Sequence, residues 1–176
     1  MVTQRDISRA GLDRGTTLIE VLVSIVVLTV GLLGLAGLQS RLQVSEIEAY
    51  QRSQAVMLVN DMASRMAANR RNASAYVTSS ALGASCPTDT TSQVNIDKRA
   101  WCEAIQGAAE VNSASARVGA LVNGRGCIEL VSGNEYVVMV AWTGLVRLAA
   151  PTNLGCNLDQ DATARVVATL VKAPSL

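Results

Sequence analysis

The sequence predicts an α+β chain in which a long N-terminal helix packs by its C-terminal half on a small antiparallel sheet. Three observations lead there. An uncharged apolar run fills Val21–Leu38. No Pro or Gly then interrupts the chain until Gly83, and its apolar residues fall at helical spacing. Beyond Gly124, runs rich in β-branched residues alternate with turn residues, as hairpin strands do.

The chain has 176 residues, enough for one domain and an extra element. Its net charge is +1 and no long block carries one sign, which argues against a nucleic-acid binder working through a basic face. There is no histidine, so Ser-His-Asp and Cys-His catalysis and His-based metal sites are excluded. Lys98 and Lys172 are the only lysines and neither lies in a Ser-Lys motif. No catalytic residue, metal site or cofactor is expected. Phenylalanine is also absent, so the core must rest on Leu, Val, Ile, Ala and Met.

Three regions follow: a leader over 1–15, a helix over 16–71 and a head over 72–176. In the leader, Arg5, Arg9 and Arg14 outweigh Asp6 and Asp13, and a positive flank tends to stay cytoplasmic while the apolar helix behind it inserts. As a helix, Leu18–Leu38 spans roughly 31 Å at 1.5 Å per residue, close to the ~30 Å hydrocarbon core of a bilayer. Residues 16–40 thus have the length of a membrane helix. An ordinary secretory signal is the competing reading, with Gly34-Leu35-Ala36 as a loose cleavage site. Its apolar region would be overlong, and Glu20 would have no purpose there. A carboxylate at bilayer depth is costly, about 2.5–3.5 kcal/mol at the centre, and needs a partner.

The stretch Gly15-Thr16-Thr17-Leu18-Ile19-Glu20-Val21-Leu22-Val23 resembles the class III leader junction of type IV pilins and type II secretion pseudopilins. The resemblance implies a type IV pilin-like fold and cleavage by a prepilin peptidase between Gly15 and Thr16. It also implies N-methylation of Thr16, although the family more often has an apolar residue there. It supplies the partner of Glu20, the free amine of a neighbouring subunit in a filament. A buried pair of that kind would set the axial register between subunits, since removing one member typically costs about 3–5 kcal/mol. Gly31, Gly34 and Gly37 recur every third residue. Each costs a helix about 1 kcal/mol relative to alanine. They suit either close helix packing or a point where the helix can stretch.

Residues 41–71 read as the amphipathic half. Ala55, Leu58, Val59, Met62, Ala63 and Met66 follow one face, with Arg52, Asp61, Arg65 and Asn69 between them. Met57, Met62 and Met66 are expected in the core. Arg70 and Arg71 are expected at a solvated helix end. Gly31-Leu32-Leu33-Gly34-Leu35-Ala36-Gly37-Leu38-Gln39 and the run from Met57 to Arg71 resemble the PilV-type minor pilins, a likeness that covers residues 11–71 well and the head loosely.

In the head, 72–95 reads as an exposed loop and 98–111 as a short helix with Trp101, Ile105 and Ala108 on one face. Strands are expected over 126–131, 136–146 and 164–171, the first two joined by a turn at Ser132-Gly133-Asn134-Glu135. Four cysteines behind an export segment suggest two disulfides. Of the three possible connectivities, the one made of the two local bridges is favoured, Cys86–Cys102 and Cys127–Cys156. Asn157, Asp159 and Asp161 would suit calcium in a pseudopilin head, and read more simply as a polar loop.

The function expected is that of a minor type IV pilin. It would sit in the inner membrane of a Gram-negative bacterium with its head in the periplasm, then enter a pilus. The partners implied are other minor pilins, the major pilin, prepilin peptidase, the inner-membrane assembly platform and membrane lipid, with no nucleic acid. A minor pseudopilin of a type II secretion system is the alternative. A secreted or membrane-anchored periplasmic binding protein is a remote third.

Overall fold

The computed structural model describes residues 17–108, 113–114, 121–149, 152, 155–156 and 162–173. The leader 1–15, the Gly15–Thr16 junction, the end of the helix expected to reach Val111, and Asn157, Asp159 and Asp161 lie outside the described residues. The chain divides into two units, Met1–Gln43 and Val44–Leu176.

Helix α1 runs over Leu18–Ala68. A 3-10 helix follows at Arg70–Tyr76, then α2 at Gln93–Ile105 and strands β1 (Arg125–Ser132), β2 (Glu135–Thr143) and β3 (Ala164–Lys172). The strands form one antiparallel sheet in the order β1-β2-β3. This is the α+β arrangement of a pilin-like fold, a long N-terminal helix and a small antiparallel sheet.

The core of the second unit is built from the stripe expected on α1. Ala55, Val59, Met62 and Met66 are buried against Ile128, Val138, Val140 and Trp142 of the sheet, with Leu58 and Ala63 packed at the margin. Met57 departs from expectation, being 52% exposed. It lies five residues from Met62, about 140° round a helix of 3.6 residues per turn, and so points off the buried stripe. Gln51 extends the stripe one turn earlier and is buried.

Helix α2 begins and ends earlier than the expected 98–111. Ser92 caps it by accepting the N–H of Asn95 at 3.2 Å. Gly107, at φ +68°, turns the chain beyond the C-terminus, which leaves Ala108 outside the helix. Trp101 and Ile105 are buried, and the Trp101 indole N–H donates to the Leu58 carbonyl at 2.8 Å. Gly126 lies directly beneath them: a Cβ there would strike the Trp101 ring and the Ile105 side chain. The expected loop 72–95 is therefore structured at both ends. Arg70 and Arg71 are exposed, but in the 3-10 helix rather than in α1.

Strand β2 stops at Thr143, short of the expected Val146. The N–H groups of Leu145 and Val146 instead donate to the Glu48 carboxylate at 3.1 and 3.0 Å. Arg165 also donates to Glu48, at 3.2 Å, and to the Val146 carbonyl at 2.6 Å. Cys86 is joined to Cys102 and Cys127 to Cys156, with Cα separations of 5.5 and 5.9 Å. The second bridge lies on the sheet face away from α1, where Cys127, Met139 and Ala141 form a small apolar cluster with Val137 and Val166.

Candidate assembly interface

The first unit supplies the candidate site. Every described residue from Thr17 to Gln43 is exposed. The large apolar side chains range from Leu18, 84% exposed, to Val21, 48% exposed. A window of this helix has a mean hydropathy of 2.6 and none of it is buried, long and apolar enough to cross a membrane. A leucine or valine moved from water into an apolar setting gains about 1.5–3 kcal/mol. A helix with this composition on all sides therefore requires lipid or other helices around it.

The polar groups inside this run are satisfied by the helix itself. Ser24 Oγ donates to the Glu20 carbonyl at 2.7 Å, and Thr29 Oγ1 to the Val26 carbonyl at 2.8 Å. Glu20 is the exception. It lies in the first turn, where its N–H donates to the Thr17 carbonyl at 3.0 Å, and a carboxylate there is favoured by the partial positive charge of the helix N-terminus. Among the described residues its side chain has no hydrogen bond or ion pair. Gly31, Gly34 and Gly37 have no heavy atom of another part of the chain within 4 Å of a Cβ built on them. This chain thus offers a charged group and three closely approachable backbone positions without covering them.

The second unit contains the opposite case, a buried carboxylate with every oxygen engaged. Asp97 on α2 accepts from Tyr76 OH, from Arg65 Nη1 at 3.3 Å and from Gln93 Nε2 at 2.9 Å. Arg65 also donates to Asp61 at 2.9 Å, and Asp61 with Asp97 holds its pKa above the ordinary value. Burial, reinforced by the Asp97 carboxylate, pushes the Tyr76 pKa up to about 12. Lys98 donates to the Ala75 and Val77 carbonyls at 2.7 and 3.1 Å, and burial lowers its pKa. These groups lock the end of α1, the 3-10 helix and α2 together. At the Cys127–Cys156 bridge, Glu129 accepts the Cys156 N–H at 2.9 Å, and both sulfurs are consumed by the disulfide.

Residues 12–36 match the family described as the prokaryotic N-terminal methylation motif. No curated protein and no solved structure matches the chain. The motif with the apolar helix behind it supports a type IV pilin-like chain, pilin or pseudopilin alike. It likewise supports membrane anchoring, processing by a prepilin peptidase and assembly with other pilins.

Proposed function

We propose that this chain is a minor type IV pilin, a non-catalytic subunit that primes or joins pilus assembly and so supports twitching motility and adhesion. The carrying observation is the coincidence of the methylation motif at 12–36 with a helix that is exposed on every side from Leu18 to Gln43. In this reading residues 16–40 anchor the subunit in the inner membrane, with the head in the periplasm. Cleavage after Gly15 creates a cationic amine at Thr16, the methylation site. The Glu20 carboxylate of one subunit then pairs with the amine of the next as the helices bundle. Its partners are the other minor pilins, the major pilin and the inner-membrane assembly platform. The resemblance of residues 11–71 to PilV-type chains favours a place in a tip-associated minor pilin complex.

Two measurements test this. The mature N-terminal mass is expected to begin at Thr16 with an added methyl group, and a start near Gly37 would show an ordinary secretory signal instead. Glu20→Ala is expected to lower recovery in sheared pili more than a hundredfold, given about 3–5 kcal/mol for breaking a buried pair. Normal recovery of that variant would remove the register role.

A further inference from the structure

The two edges of the sheet are finished differently. In β1 the outward-turned groups of Gly126 and Ile128 are covered by the chain's own segment 78–82, while those of Leu130 have no backbone partner among the described residues. Leu82 and Gly126 exchange both backbone hydrogen bonds at 2.8 Å. Thr78 N–H donates to the Ile128 carbonyl at 2.9 Å, and Ile128 N–H to Thr78 Oγ1 at 3.0 Å. The other edge is β3. Thr163 accepts from Gly144 at 2.8 Å just before the strand, and Ala173 donates to Asn134 at 2.9 Å just after it. Both fit the register that pairs Glu135 with Lys172 and Thr143 with Ala164. Antiparallel ladders alternate inward and outward bonding along a strand. Residues 165, 167, 169 and 171 therefore bond to β2, while Val166, Ala168 and Leu170 turn their N–H and C=O groups outward. No backbone partner meets those three among the described residues. Ala168 is exposed and Leu170 is 60% exposed.

Among the described residues this edge lacks the devices that protect edges. Ala164–Lys172 has no proline or glycine and only Arg165 and Lys172 as charges, and the register shift in the sheet is on β1. We infer that the outer edge of β3, at Val166, Ala168 and Leu170, receives an extended strand from a neighbouring subunit of different sequence. The inference rests on the filament reading above.

Two arguments select that occupant. A strand of about five residues buries only a few hundred Å², well under the roughly 1,200 Å² of a stable free-standing interface. The incoming chain must therefore be held by a second contact, and membership of a common filament provides one by raising the effective concentration of neighbouring subunits. A second copy of this chain fits poorly. Its β1 edge is already covered at Gly126 and Ile128, so among the described residues its own β3 is the longest open edge it has to offer. That pairing is isologous and closes at two, which cannot propagate along an assembly.

The test uses the full chain in cells that assemble the filament. A photo-crosslinking amino acid replaces Leu170, and two variants, Ala168→Pro and Leu170→Lys, alter the edge. Ala168 turns its N–H outward, so proline there removes an edge donor and leaves the β2–β3 ladder intact. The expected result is an adduct from position 170 to an extended segment of another subunit. Each variant should lower incorporation into filaments about tenfold, with both disulfides still closed. Wild-type incorporation of both variants without an adduct would overturn the edge inference while leaving the filament reading standing. An adduct between two copies of this chain would overturn the choice of partner. Absence of the unaltered chain from filaments would overturn the filament reading, and the edge inference with it.

Discussion

Along α1, residues 18–43 are exposed without exception, whereas from Gln51 onward the helix buries a residue every three or four positions, at 51, 55, 59, 62 and 66. The contrast is clearest in two glutamates. Glu48 holds two backbone N–H groups and a guanidinium of its own chain. Glu20, on the same helix, holds none among the described residues. Neither half contains Pro, but the second is rich in strong helix formers while the first carries many β-branched residues and three glycines, Gly31, Gly34 and Gly37. The halves also differ in where their partners come from. The second half finds them in its own sheet, whereas the apolar side chains of the first stay exposed and depend on lipid or on other subunits for cover.

Paired substitutions sharpen this contrast. The largest effect is expected at the core: Met62→Ala should cost about 2–5 kcal/mol in denaturant unfolding of the head. Leu32→Ala, in the exposed half, should change that same transition by less than about 0.5 kcal/mol. Equal effects would mean that residues 18–43 contribute to the stability of the head. A smaller loss, about 1–3 kcal/mol, is expected for Glu48→Ala, which strands two N–H groups and Arg165; Glu20→Ala should leave unfolding of the head unchanged. The smallest effect concerns alkaline pH. The folded state raises the Tyr76 pKa from 10.0 to about 12, so its contribution to stability is complete below pH 10 and is lost as pH rises toward 12. Tyr76→Phe should flatten that part of the pH profile, and an unchanged slope would assign it to another group.

Much of the fold was legible in the residues, and the reasons are local. The length of α1 follows from one uninterrupted stretch, and its buried face from a single periodicity. The β1–β2 hairpin follows from Gly133, which turns at φ +50°. The start of α2 was legible in principle, since Ser92 is a good capping residue, but the Ser- and Thr-rich run before it masked the signal. Met57 shows that an apolar residue on a helix need not share the angle of its neighbours. Other features depend on distant contacts that no local pattern encodes. Glu48 and Arg165 are 117 residues apart, and their meeting ends β2 early. The Tyr76–Asp97 hub likewise depends on two helices docking first. At the candidate interface, the unmatched carboxylate was legible because Glu20 is the one charged residue in a long apolar run. The bare edge of β3 was not, because an edge is defined by which strands fail to arrive.

The disulfides also bear on how the head is made. Cys86 pairs with Cys102 and Cys127 with Cys156, at separations of 16 and 29 residues, so the two spans neither overlap nor enclose one another. A head entering an oxidising compartment from its helix-proximal end presents Cys102 while Cys86 is its only possible partner, and the first bridge can close before Cys127 arrives. Each cysteine then meets its correct mate first. Oxidation in order of emergence gives the native pairing directly, with no need for a shuffling step.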